Sequence, residues 1–320
     1  MINRVLLRIK LIQILYSYHV SGSSDPYAAR NELLLSIKKA YDLYFYLFVL
    51  ILDITRYAEM RIDFGRNKIR PTEEDLNPNM RFVENRFARQ LAENTMLQEH
   101  LKDNPMSWSD YNNIIRNIFD KIEASSLYRN YMSSPETSYE DDKELWRRIF
   151  KNIIMRDEEI CAGIEEILEE QSIYWVDNLE ITASFVTKTI RMFSEGNGAG
   201  QELLPIFRND GDRRFVLTMF DETVKNGQYA AELIKATLQN WEYDRIALMD
   251  IVIMKAAITE LLNFPTIPVN ATLNEFIEIA KSYSTERSGT FVNGVLDRIV
   301  VRLKAESKLQ KVGYIPGEQE

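Results

Sequence analysis

The chain has 320 residues, 45% of them hydrophobic and 27% charged, with a formal net charge of −9. That is the make-up of a globular chain long enough for one large or two modest cores, and it excludes a general nucleic-acid coat, which needs a net positive surface. Its single cysteine, Cys161, excludes an internal disulfide and fits a reducing compartment.

Helices are predicted throughout. Gly and Pro are sparse, and no stretch alternates with period two between hairpin turns. The first helix spans about 3–18. It lies in a segment, residues 1–24, that holds Arg4, Arg8 and Lys10 and no acid. Arg8 and Lys10 interrupt its apolar run, which is then too short for a signal peptide. A turn at "SGSSDP" (21–26) precedes a helix over about 28–60. That helix carries "LYFYLFVLIL" (43–52), bounded by Asp42 and Asp53. The run is too short to cross a bilayer and reads as a buried helical segment. The expectation is a cytoplasmic protein with no membrane partner.

Helices over about 80–102 and 109–125 follow the turn "NPN" (77–79), and "SSPETS" (133–138) precedes one over about 140–172. On the last of these, Cys161 shares helical spacing with Ile160, Ile164 and Leu168, as a core thiol would. The same region is acid-only: residues 157–180 hold nine acids and no base. The pairs Glu158/Glu159, Glu165/Glu166 and Glu169/Glu170 form either a solvated face or a face for a basic partner. A helix over about 177–195 runs into "GNGAG" (196–200). Those glycines resemble half of a dinucleotide fingerprint, but that motif needs a strand before it, so a linker or a helix C-cap is expected. His19 and His100 are the only histidines. There is no H-E-x-x-H and no paired Glu-x-x-His, so neither an enzyme nor a cofactor is expected.

The last third predicts helices over about 212–239, 244–263, 272–283 and 289–306. The helix at 244–263 is apolar nearly all round, so it should be central and buried. It stops at "NFPTIP", where Pro265 and Pro268 lack amide donors. Thr272 and Glu275 have capping-box spacing for the next helix, whose buried stripe is Phe276, Ile279 and Ala280. In "TFVNGVLDRIV" (290–300), Phe291, Val292, Val295, Leu296 and Ile299 follow helical spacing toward Leu303. Gly294 is expected where another backbone comes close, and Asn293 and Asp297 are expected to cap or bridge neighbouring helices.

The stretch from Asp250 to Ile299 resembles the C-terminal half of the NusB family of bacterial transcription antitermination factors. The resemblance rests on a helix ending in "TELL", a Pro-containing link, "NEFIEIAK" and "FVNGVLDR". "RVLLRIKLIQILYSY" is similar to the family's first helix, with Gln13, Leu15 and Tyr16 in its Gln-x-Leu-Tyr stretch, and residues 213–241 fit its middle helix more loosely. The resemblance covers residues 1–20 and about 205–306. It implies an all-α fold, a NusB-like helical bundle enlarged by additional helices. The expected division is 1–22 plus 205–308 as the NusB-like domain, 23–204 as an inserted helical region and 309–320 as a flexible tail.

The resemblance also implies a function: binding of boxA-like single-stranded RNA in the leader of ribosomal RNA transcripts, together with NusE, a small-subunit ribosomal protein, in the transcribing RNA polymerase complex. On that reading Arg4, Arg8 and Lys10 supply cations for phosphates. Ser288, Gly289 and Thr290 offer hydroxyls and amides at a helix N-terminus, which favours anions. The family's first segment carries more arginines close together; here Val5, Leu6 and Leu7 separate Arg4 from Arg8. The alternative reading is a protein–protein adaptor that keeps the fold and binds little RNA. A third route, the NusB-like domain joined to ribosomal RNA methyltransferases, would need a Gly-rich cofactor loop after a strand, which the sequence lacks.

Overall fold

The computed structural model describes residues 4–22, 24–136, 138–176, 178–238 and 242–311. Among these residues there are helices and no strands. In chain order the helices are α1 (Arg4–Val20), α2 (Pro26–Arg66), α3 (Glu73–Leu76), α4 (Arg86–Ala92), α5 (Thr95–Asp103), α6 (Asn112–Ala124), α7 (Ser126–Ser133), α8 (Tyr139–Ile149), α9 (Glu158–Gln171), α10 (Leu179–Met192), α11 (Asp210–Lys225), α12 (Gly227–Thr237), α13 (Leu248–Asn263), α14 (Val269–Tyr283) and α15 (Ser288–Ala305). No described helix is long and apolar enough to cross a membrane.

The chain divides into two compact units. One comprises residues 2–37 and 207–320; the other comprises 38–206. α2 is shared, with residues 26–37 in the first and 38–66 in the second.

In the two-segment unit α13 is the hub. It packs against α1, α11, α12, α14 and α15. Its residues 250–254 and 256–261 are all buried, as the apolar sequence requires. A helix covered on every side has no solvent face to carry charge, so its two acids, Asp250 and Glu260, must find partners inside. α13 ends at Asn263, before Pro265. Its last carbonyls are capped from the C-terminal segment: Lys311 Nζ donates to Phe264 O at 2.9 Å and to Glu260 O at 3.3 Å. Residue 311 thus anchors the start of the tail expected from 309, and residues 312–320 of that tail lie outside the described residues.

The 38–206 unit has its own core. The run at 43–52 is almost wholly buried, as expected. Tyr46 stacks on Trp108 with ring centroids 4.2 Å apart and on Trp175 at 5.2 Å. Phe45 stacks on His100 at 3.9 Å. The expected helix at 80–102 is two helices, because Asn94 turns its side chain back to accept from Leu97 N and start α5. The helix expected at 140–172 is also interrupted. A π-turn at Phe150–Ile154 follows α8, and Asp157 then caps α9 by accepting from Ile160 N. Ile160, Ile164 and Leu168 are fully buried, but Cys161 is only half-buried, its thiol donating to Ile154 O. Asp177, within the acid-only stretch, lies outside the described residues.

Four further expectations are corrected. "GNGAG" is tied down and not a free linker: Gln90 Nε2 donates to Ser194 O and Gly198 O, and Asn94 Nδ2 to Gln201 O. The helix at 212–239 is broken at Asn226, where α11 ends and α12 begins, and residues 239–241 lie outside the described residues. Thr272 does not cap α14, which starts earlier, at Val269; its hydroxyl donates instead to Glu260 Oε1 at 2.8 Å. Nothing lies within 4 Å of a Cβ built on Gly294, so no backbone approaches it closely.

His100 gives the 38–206 unit a pH dependence. Its Nε2 lies 3.4 Å from Asp42 Oδ1, beneath the Phe45 ring. Burial holds the imidazole below its ordinary 6.5; Asp42 and Asp103 oppose this and Lys38 and Lys39 add to it. His19, in the other unit, is lowered by burial and by Lys255. Well above pH 6.5 both histidines are neutral whether the chain is folded or not. Below it the unfolded chain binds protons more readily, so stability falls with pH until the folded groups titrate. The melting temperature should therefore drop between about pH 7.5 and about pH 5.5, and the drop should be smaller in His100→Gln, as a pH series of thermal melts will check.

Candidate nucleic-acid interface

The sequence-predicted residues all lie in the two-segment unit, on α1 and at the start of α15. The structure treats them differently. Arg4, at the start of α1, keeps 42% of its side chain exposed; Nε donates to Asp212 Oδ1 at 2.9 Å, and the guanidinium lies over Phe215, 4.9 Å from the ring centroid. A cation at this position is oriented by one carboxylate and one aromatic face and remains open to solvent.

Arg8 lies one turn further along and is buried. Its Nε and Nη2 donate to the two carboxylate oxygens of Glu260, each at 2.8 Å, and Nη1 lies 3.7 Å from Glu275 Oε2. The rings of Phe215 and Phe276 flank it, 5.4 and 5.9 Å away. Planar, bidentate pairing of this kind is what arginine offers and lysine does not. Lys10 is also buried, at 1% exposure. Neither Arg8 nor Lys10 is presented to a phosphate as the sequence reading expected. The physical reason lies in "LLRIKLI": residues 6–12 are buried without a break, because α1 is enclosed by α11 and α13.

At the start of α15 the division is similar. Ser288 is buried, and its hydroxyl donates to Asp250 Oδ2 on α13 at 2.9 Å while accepting from Thr285 N at 3.1 Å. Its single proton is thereby committed. Gly289 is buried too. A Cβ there would come within 2.6 Å of the Lys281 stem, so the glycine makes room for α14 to pack. Ser288 and Gly289 thus belong to the packing of the helix start, while Thr290 is exposed in the first turn. Immediately before it, Arg287 is exposed, and the sequence reading passed over it. Its signal was adjacency: a base next to a polar helix start. Phe291 is half-buried, Asn293 is half-buried and Asp297 is exposed.

The two presented cations, Arg4 and Arg287, sit on elements that both pack on α13. Arg213 and Arg214, in the first turns of α11, are also exposed, beside Asp212. The arrangement can make a small number of phosphate contacts next to helix amides. Among the described residues no three His, Cys, Asp or Glu side chains gather so as to hold a metal ion.

The sequence profile of the NusB family matches residues 179–301. A transcription antitermination protein NusB from Salinibacter ruber is 40% identical over 134 residues, which are 40% of this chain and 84% of that relative. One from a Picosynechococcus species is 35% identical over 193 residues, 60% of this chain and 88% of the relative. One from Natranaerobius thermophilus is 34% identical over 95 residues, 30% of this chain and 68% of the relative. No solved structure matches. The profile begins in α10, ahead of residue 205, so the likeness reaches further toward the N-terminus than the sequence motifs indicated.

Burial separates structural from presented residues in a way that can be measured. Ser288→Ala removes the donor to a buried carboxylate and should lower unfolding stability by about 1–3 kcal/mol. Thr290→Ala, two residues on and exposed, should stay within about 0.5 kcal/mol of wild type. Urea unfolding of the two variants checks the contrast.

Proposed function

The chain belongs to the NusB family, and from that premise we propose that it is a transcription antitermination factor that binds boxA-like single-stranded leader RNA of ribosomal RNA transcripts. It does so with NusE, within the transcribing RNA polymerase complex, in the cytoplasm, and without a catalytic step. In this reading the NusB-like part is 1–22 with a second segment that ends near 308, begins at 205 by its motifs and is extended by the family profile to 179, and the residues between are an inserted helical region.

One observation carries the proposal: the exposed, oriented guanidinium of Arg4, held by Asp212 and Phe215 at the start of α1. Single-stranded RNA needs cations for its phosphates and hydrogen-bonding groups for splayed bases. Arg4 and Arg287 supply the first, and the exposed Thr290 hydroxyl contributes to the second. Arg8, Lys10, Ser288 and Gly289 support the interface from beneath.

The burial of Arg8 and Lys10 favours a second reading, an adaptor that keeps the fold and binds little RNA. Salt dependence separates the two. Each phosphate neutralised on a single strand contributes a slope of about −0.7 in log affinity against log salt. Arg4→Ala and Arg287→Ala should each weaken binding of a boxA-like RNA several-fold and flatten the slope by about that amount, in fluorescence anisotropy with and without NusE. If wild-type protein shows no RNA binding at low salt, alone or with NusE, the adaptor reading replaces this one.

A further inference from the structure

The 38–206 unit carries a trough that the proposed RNA function does not use. On one side are residues 110–117, around the start of α6; on the other is α9, followed by residues 172–175. One cavity, of about 620 Å³, lies between α6 and α9, floored by Ile114, Ala162, Gly163 and Ile167. A second, of about 780 Å³, continues past the end of α9 and reaches Tyr46, Tyr174 and Trp175. The two share Asp110 and Tyr111, and Gln171 Nε2 donates to the Tyr111 hydroxyl at 2.6 Å where they meet. The close approach of α6 and α9 depends on Gly163, where an added Cβ would lie 3.0 Å from Ile114. All of these residues lie outside 179–301, the stretch matched by the family profile.

The rim is acidic: Asp110, Glu159 and Glu166 line the trough, and its one lining base, Lys39, lies at the far end. α9 itself has six glutamates and no base. Glu159 is paired, with Lys121 at 2.9 Å. Glu166, Glu169 and Glu170 are exposed, with no ion pair among the described residues. Glu165/Glu169 and Glu166/Glu170 are like charges four residues apart, which repel along a helix. Glu169 and Glu170 also sit in the last turn, against the negative end of the helix dipole, with no basic residue there to offset it. Local stability would favour lysine at these positions. Of these glutamates Glu166 lines the trough beside its apolar floor, and the end of α9 that carries Glu169 and Glu170 is followed closely by Ile173, which is 79% exposed.

We propose that this trough is a docking surface for a basic, amphipathic helical segment of a partner protein, its apolar side on the Ile114–Ile167 floor and its lysines or arginines on the glutamate rim. Charge complementarity selects the occupant: a phosphate backbone is repelled, whereas cations are attracted to a rim on which Glu166 has no ion pair among the described residues. α9 is about 21 Å long at 1.5 Å per residue, enough for about four turns of a docked helix.

The test uses the full chain and a labelled fourteen-residue peptide with lysines on one helical face and leucines on the other, read by fluorescence anisotropy. Its glutamate–leucine counterpart and a single-stranded RNA serve as comparison probes. The lysine peptide should bind, with affinity falling as salt rises, and neither comparison probe should compete with it. Glu166→Gln/Glu169→Gln/Glu170→Gln should weaken binding at least tenfold while raising the melting temperature. Ala162→Trp, which fills the floor and leaves every charge in place, should weaken it to a similar degree, as should Ile173→Asp at the exposed end. Unchanged binding in Ala162→Trp and Ile173→Asp would reduce the effect to diffuse charge attraction and overturn the proposal. So would unchanged binding in the glutamine variant, or competition by the RNA.

Discussion

The two-segment unit depends on one buried ion pair. Arg8 and Glu260 come from opposite ends of the sequence, and neither could be buried alone. An unpaired charge in such a place costs several kcal/mol, roughly, after relaxation. Together they form a bidentate bridge at 2.8 Å, with Thr272 donating to the same carboxylate and two phenylalanine rings closing over the guanidinium. The pair fixes how α1 lies on α13. A slip of either helix by one residue would turn one charge away from the other, and apolar neighbours at almost every position would offer it nothing in exchange.

From that constraint the rest of the unit follows. α13 is covered on all sides, so each of its acids is answered from a different element: Glu260 by α1 and α14, Asp250 by Ser288 at the start of α15. Its C-terminal carbonyls are answered by Lys311. One helix thereby sets the position of both elements that carry the presented cations. It also explains why the proposed RNA face is thin on α1: of three cations near the start of that helix, two are enclosed and only Arg4 faces water.

Much of the fold was legible in the sequence, because burial leaves a strong pattern. The all-round apolar run of α13, the buried 43–52 segment, the C-terminal end of α13 and the extent of α15 followed from periodicity and proline placement, whereas α13 starts at Leu248, later than the expected 244. The breaks were harder to read. Asn94 and Asp157 start helices through single side-chain hydrogen bonds inside otherwise helical patterns, and the π-turn after α8 has no period of its own. At the candidate site, Thr290 and Arg4 are presented as a polar helix start and an N-terminal base should be. Arg8 and Lys10 are not, because a charge pattern does not announce a partner more than 250 residues away. A complementary signal was nevertheless present. Arg8 and Lys10 break an otherwise apolar run, and Asp250, Lys255 and Glu260 break another. Opposite charges in two buried helices are best reconciled by pairing across them.

The most direct measurement is a double-mutant cycle in urea unfolding, with Arg8→Met, Glu260→Met and the two combined. If the pair organises the unit, each single change should cost about 3–5 kcal/mol, because it strands a buried charge. The double variant should recover most of that loss, leaving a coupling energy of at least about 2 kcal/mol. Single effects that are small, or that simply add in the double variant, would contradict the account, since the two side chains would then be stabilised independently of each other.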